Sequence, residues 1–183
     1  MIPVANLRPI YQGKPAAVLG GGPSLPADLQ RVPEGTVRIS VNQHALRLCV
    51  PDFLVFMDNP GDHPELASAV AGFKGLRVSQ LAGQGDVDLS GIPYWDGGFS
   101  ASLATWLACY LECDPVLLCG MDCYQGEQKY FYPNDFCHPA QNFPLENHLA
   151  AWRPALRYCP SSWRIKAMSG PLVQNFGKWS GND

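Results

Sequence analysis

Ala16-Ala17-Val18-Leu19 runs straight into Gly20-Gly21-Gly22-Pro23-Ser24-Leu25, and this junction limits the possible folds more than any other stretch. Four consecutive apolar residues suit a short strand covered on both faces. Three glycines admit positive φ and let another group approach bare backbone. Ser24 is placed to cap a following helix, whose free N–H groups favour an anion, often a phosphate. Two readings stay open here: an ordinary strand-to-helix turn and a phosphate-binding loop.

The remaining pattern repeats the same theme. Apolar segments at 37–41, 53–57, 76–81, 116–119 and 164–168 read as strands, with a short one at 92–95 inside the glycine- and aspartate-rich stretch 82–98. Residues 26–30 form a helical turn, and 64–71 a helix with proline at its start. Behind Ser100, expected as a cap, Leu103, Trp106, Leu107, Tyr110 and Leu111 recur at helical spacing. Residues 144–158 read as a helix kinked or interrupted by Pro154. Strands alternating with helices predict one Rossmann-like α/β domain over 1–183, with a mainly parallel sheet and helices on both faces. Ligands of such sheets lie beyond the carboxyl ends of the strands. Those ends deliver residues 20–24, Asn42-Gln43, Asp58-Asn59 and Asp122. Residues 123–143 have no period and are crowded with aromatics, so they are expected to form a short lid. The tail from 170 carries apolar anchors at Leu172, Phe176 and Trp179, which leaves packing on its own domain or in a homo-oligomer open.

Composition excludes several classes. With 46% hydrophobic and 16% charged residues the chain is globular. A net charge of −3 gives no general field for nucleic acid. No run approaches the roughly 20 apolar residues of a membrane helix, and the first residues lack a leader pattern. Seven cysteines, several in apolar segments, fit free thiols in a reducing cytoplasm. Cys109, Cys113, Cys119 and Cys123 lack the tight knuckle spacing of a zinc site.

Taken in order, Gly-Gly-Gly-Pro-Ser-Leu at 20–25, Val41-Asn42-Gln43, Phe56-Met57-Asp58-Asn59-Pro60, Ser100 opening a helix, and Gly120-Met121-Asp122-Cys123-Tyr124-Gln125 resemble the bacterial CMP-sialic-acid-dependent sialyltransferases of lipooligosaccharide synthesis. The Gly-Pro-Ser-Leu start and Gly-x-Asp end also occur in a wider group. It includes archaeal 6-hydroxymethyl-dihydropterin pyrophosphokinases and proteins linked to flagellin glycosylation. The resemblance covers residues 16–158. It implies that Gly22, Pro23 and Ser24 hold the nucleotide phosphate and ribose, with Gly21 in the same turn. Asn42 and Gln43 would lie against nucleotide and donor, and Asn59 and Ser100 would contact the donor. Tyr124 and Tyr130, six apart, match the tyrosine pair that hydrogen-bonds the leaving phosphate, and His138 matches the general base. Gly21 stands where the family has asparagine, Asp58 is more like the pyrophosphokinase branch, and the lid is short.

The chemistry of these residue types agrees. A histidine accepts a proton near neutral pH, and two phenols stabilise a departing phosphate without a metal. The reading is an inverting, metal-independent glycosyltransferase that uses a CMP-sugar, requires no cofactor and takes an unknown acceptor. One alternative is a magnesium-dependent pyrophosphokinase or nucleotidyl enzyme with Asp58 and Asp122 as metal ligands. Another is a nucleotide-binding protein without catalysis. His138 also reads as a surface loop residue, Asp122 as a carboxylate accepting backbone N–H bonds, and His44 as either a pocket residue or a helix-end residue. His148 reads as a solvent-facing or core-edge residue.

Overall fold

The computed structural model describes residues 1–81, 83–90, 98–133 and 139–181. In chain order the elements are β1 (Ile2–Pro3), α1 (Arg8–Tyr11), β2 (Ala16–Leu19), α2 (Leu25–Leu29), β3 (Val37–Val41), β4 (Phe53–Phe56), α3 (Pro64–Gly72), β5 (Leu76–Ser79) and β6 (Val87–Asp88). They continue with α4 (Ser100–Tyr110), β7 (Val116–Cys119), α5 (Leu145–Ala155), β8 (Ile165–Ala167) and α6 (Val173–Phe176). The predicted strand at 92–95 lies outside the described residues.

Six strands pair in the order β5-β4-β3-β2-β7-β8, every pair parallel. The chain builds outward from β2 to β5, then returns to lay β7 on the other side of β2. The strand order therefore reverses between β2 and β7. Register keeps the strand ends nearly level: Leu19 lies opposite Ser40 and Cys119, and Phe56 opposite Ser79. Whatever follows β2, β3, β4 and β7 is thus delivered to one rim.

The apolar runs are buried on both faces, as their lack of alternation requires. Ala16, Val18, Ile39, Phe53 and Val55 pack with Leu103, Trp106 and Leu107 of α4 and with Trp152 of α5. Ala17, Leu19, Leu117 and Cys119 face the other way, against Leu25, Met168 and Trp179. Leu54 and Phe56 meet Leu66 and Val70 of α3. Each large side chain so buried contributes roughly 1.5–3 kcal/mol, so α4 and α3 fix the sheet from opposite sides. Cys109 and Cys113 sit in the α4-side core and Cys119 in the opposite one, so these thiols cannot share one ion. Trp179 is 9% exposed, and its N–H donates to Ala167 at 3.0 Å. The tail therefore packs on its own domain.

Three local expectations are corrected. Ser24 precedes α2 but makes no capping bond to it. Ser100 is the first residue of α4, not its cap. Ser102 Oγ accepts the Phe99 N–H at 3.2 Å and donates to the Phe99 carbonyl at 2.7 Å. Finally, α5 stops at Ala155, one residue past Pro154, and does not continue to 158.

Candidate functional site

The rim above the β2–β7 crevice is stitched shut at its base. The Gly20 N–H donates to the Cys119 carbonyl at 2.8 Å and the Gly22 N–H to the Gly120 carbonyl at 2.9 Å. Asp122 Oδ2 accepts the Ser24 N–H at 3.1 Å and the Ser24 hydroxyl lies 2.9 Å from it. The same hydroxyl is 3.2 Å from Asp28 Oδ2. Asp28, 2% exposed, also accepts the Gly120 N–H at 3.0 Å and the Ser169 hydroxyl at 2.9 Å. A carboxylate is normally expensive to bury; the Gly120 N–H and Ser169 hydroxyl offset that cost, while the single Ser24 proton serves either Asp28 or the nearer Asp122. Gly22 is required by the same geometry, because a Cβ there would collide with the Asp122 carboxylate. The sequence assigned Gly22 and Ser24 to a ligand phosphate; here Gly22 N–H and both Ser24 donors face the turn after β7. The reading of Asp122 as an acceptor of backbone N–H bonds fits this geometry.

From β3 comes Asn42, held at φ +52°. Its N–H donates to the Val55 carbonyl at 2.9 Å, and its carbonyl accepts the Ser40 hydroxyl at 2.7 Å. Its Nδ2 donates to Asp58 Oδ2 at 3.2 Å, while its buried Oδ1 has no partner among the described residues. An unpaired buried acceptor and a left-handed non-glycine backbone are both costly, and such features concentrate at binding sites. Gln43 points elsewhere: with Arg47, Glu65 and Ser68 it lines an open groove of about 480 Å³ between the turn after β3 and α3.

The β4 end contributes Asp58, through Asn42, and two residues tied to local structure. The Met57 N–H donates to Ser100 Oγ at 3.2 Å, so Ser100 joins α4 to the end of β4. Asn59 is exposed; its Oδ1 accepts the Gly61 N–H at 3.1 Å and its Nδ2 donates to Asp62 at 3.2 Å. Both ends of that side chain serve the turn that follows it.

After β7 the backbone turns left-handed twice, at Cys123 (φ +52°) and Tyr124 (φ +55°). The Lys129 ammonium holds this turn by donating to the carbonyls of Tyr124 at 2.8 Å and Gly126 at 2.7 Å. Tyr124 and Tyr130 meet edge to face, ring centres 5.9 Å apart. Burial above all, then Tyr130 and Asp58, raise the Tyr124 phenol well above its ordinary pKa. The pair that the family resemblance implies is together, and Tyr124 stays protonated at neutral pH.

Two histidines join the phenols: His44, which the sequence left open between pocket and helix end, and His148, which it read as solvent-facing or core-edge. His44 lies flat on Tyr130, 5.0 Å between ring centres at 26°, with its Nδ1 2.7 Å from the Tyr132 hydroxyl. Burial lowers its pKa from 6.5 to about 4, so it is neutral. His148 of α5 approaches Tyr124, ring centres 5.7 Å apart, and its Nε2 is buried without a partner among the described residues. Its helical position alone hides this, since an amphipathic face carries many such histidines. The Gly21 substitution was the available signal for His44. His138, matched to the general base, lies outside the described residues.

No protein-family model and no curated protein sequence matches the chain. Among solved structures it is similar to the MAf glycosyltransferase from Magnetospirillum magneticum AMB-1, with a TM-score of 0.58 and 16% sequence identity over 94% of this chain. The chain spans about a third of that protein, 34% of its length. At that identity the likeness is one of fold, and it agrees with the single Rossmann-like α/β domain expected from the strand pattern. Among the described residues, no helix is long and apolar enough to cross a membrane.

Proposed function

We propose that the chain is a glycosyltransferase that moves a sugar from a CMP-activated donor to an acceptor hydroxyl, with inversion and without a metal. The observation that carries this reading is the pairing of Tyr124 with Tyr130 at the rim where the strand order reverses, a rim that also holds Asn42, whose buried Oδ1 has no partner among the described residues. A rim of this kind is where doubly wound sheets take nucleotides. The fold shared with a glycosyltransferase lends the reading weight.

In the reaction a bond forms between the acceptor oxygen and the anomeric carbon as the bond from that carbon to the phosphate oxygen breaks. The acceptor proton passes to a histidine, and the electron pair of the broken bond leaves with CMP. The phenols at 124 and 130 hydrogen-bond the phosphate as its charge grows. Asn42 lies against the nucleotide; the resemblance adds Gln43, Asn59 and Ser100 as donor contacts, but Gln43 lines the groove beside α3 and the other two would first have to leave their local partners. Pro23 lies beside the nucleotide in the turn whose Gly21 and Gly22 make room for His44 and Asp122, and Ser24 binds its phosphate only on release from Asp122. His138 is the base carried by the family resemblance, and His148 is the histidine that adjoins Tyr124.

The magnesium-dependent alternative draws on Asp58, whose carboxylate accepts only a neutral amide among the hydrogen bonds described. It is weakened at Asp122, because Oδ2 already serves both donors of Ser24. Thermal-shift titration with CMP, CDP, UDP, GDP and ATP, each with magnesium or with a chelator, separates the two. A ligand at 100 times its Kd stabilises by about 2.7 kcal/mol, which for a domain this size is roughly 5–10 °C. CMP protection in chelator supports the transferase, and release of CMP from a CMP-sugar completes it. Protection by ATP that needs magnesium and vanishes in Asp58→Asn establishes the alternative. Protection without turnover of any donor leaves a binding protein.

A further inference from the structure

We propose that His44 is a positioning residue for Tyr130: seated on Gly21, its ring clamps the lid to the glycine turn and holds that phenol over the crevice. The role given to the phenol rests on the transferase reading; the clamp itself rests on geometry alone.

Five contacts converge on this ring and its neighbours. A Cβ at Gly21 would stand 2.7 Å from His44 Cγ, so the bare backbone at 21 is the seat of the imidazole. The upper face of the ring stacks on Tyr130 at 5.0 Å. Its Nδ1 meets the Tyr132 hydroxyl at 2.7 Å, and the Arg47 guanidinium covers the Tyr132 ring at 4.1 Å. Between these two tyrosines the Phe131 N–H donates to the Gly21 carbonyl at 3.1 Å. Residues 130–132 are therefore bound to the glycine turn through one side chain and one backbone bond. This also accounts for Gly21 at a position where the resembling family has asparagine: any side chain there would evict His44 and with it the lid. The glycine serves the protein's own ring and not the approach of a ligand.

Hydrogen exchange on the free protein tests the clamp without reference to activity. In His44→Ala the Phe131 amide should exchange at least about tenfold faster, as expected when one stacked pair and one hydrogen bond are removed, while Val18 and Leu19 in β2 keep their protection. His44→Phe keeps the ring on Gly21 and Tyr130 and should recover most of the protection. No change at Phe131, or an equal rise at Phe131 and in β2, overturns the clamp. If His44→Ala does not fold, Tyr132→Phe still decides: it should raise exchange at Phe131 alone, and an unchanged amide refutes the proposal. With a CMP-sugar donor, His44→Ala should lower kcat about tenfold or more with donor KM changed less than threefold, and His44→Phe should restore most of it. An effect on KM alone overturns the positioning role. If the wild-type protein turns over no CMP-sugar, the transferase reading falls and the exchange result still decides the clamp.

Discussion

Mild acid should destabilise this domain through one imidazole. His44 is neutral in the folded chain because burial lowers its pKa from 6.5 to about 4. Glu65 and Asp58 pull the value up, while Arg47 pushes it down with burial; burial, the largest cause, outweighs the two carboxylates. Once the chain unfolds, the ring regains its ordinary affinity for a proton. The unfolded state therefore binds more protons between about pH 6.5 and 4, and stability rises with pH across that window. The contribution is complete above pH 6.5 and is lost as pH falls towards 4. Between pH 7 and 5 the linkage amounts to about 2 kcal/mol, or about 4–8 °C in Tm for a domain of this size. Urea unfolding at half-unit steps from pH 7 to 5 measures it, with His44→Phe as the reference. The variant keeps an aromatic ring on Gly21 and cannot titrate there, so contributions common to both proteins cancel in the difference. Wild type should lose about 2 kcal/mol more than the variant over this range. Parallel curves for the two proteins would refute the burial argument.

Two further outcomes follow from contacts at the rim. Gly22→Ala drives a Cβ into the Asp122 carboxylate and to 2.7 Å from the Gly120 carbonyl, so it should lower stability by about 2 kcal/mol or more in thermal unfolding. In a CMP-sugar assay, His138→Ala should abolish transfer to acceptor if His138 is the base, with His148→Ala retaining most of it; the opposite result moves the base to the histidine beside Tyr124.

The sheet was legible because its strands are buried on both faces. Ala16-Ala17-Val18-Leu19 and Phe53-Leu54-Val55-Phe56 show no alternation, and only a doubly covered strand needs none. The small parallel pair of Ile2–Pro3 with Val87–Asp88 was not legible. Two residues carry no period, and their partner lies far along the chain. The caps failed for another reason. Serine competes for several partners, and a contact from another element outweighed the local one at both Ser24 and Ser100.

The site divides along the same line. Positions fixed by strand ends were foreseeable, since level register puts Asn42, Asp58 and Asp122 on one rim whatever their side chains do. What the side chains do depends on neighbours across the crevice. The glycine turn reads as an anion seat, yet the half-buried Asp122 already lies on Ser24, and the buried Asp28 carboxylate lies beneath. Both carboxylates stand beside the turn, and the N–H groups of Gly20, Gly22 and Ser24 are engaged within the protein. An anion at this rim must then be met by groups that bring protons without demanding further carboxylate neighbours. Tyr124 qualifies, because its burial beside Asp58 keeps the phenol protonated. Tyr130 stands with it, and its place depends on a histidine that a bare backbone at Gly21 admits. On the transferase reading proposed above, phosphate recognition falls to the aromatic residues 124 and 130, and the glycine turn is where residues 130–132 are anchored.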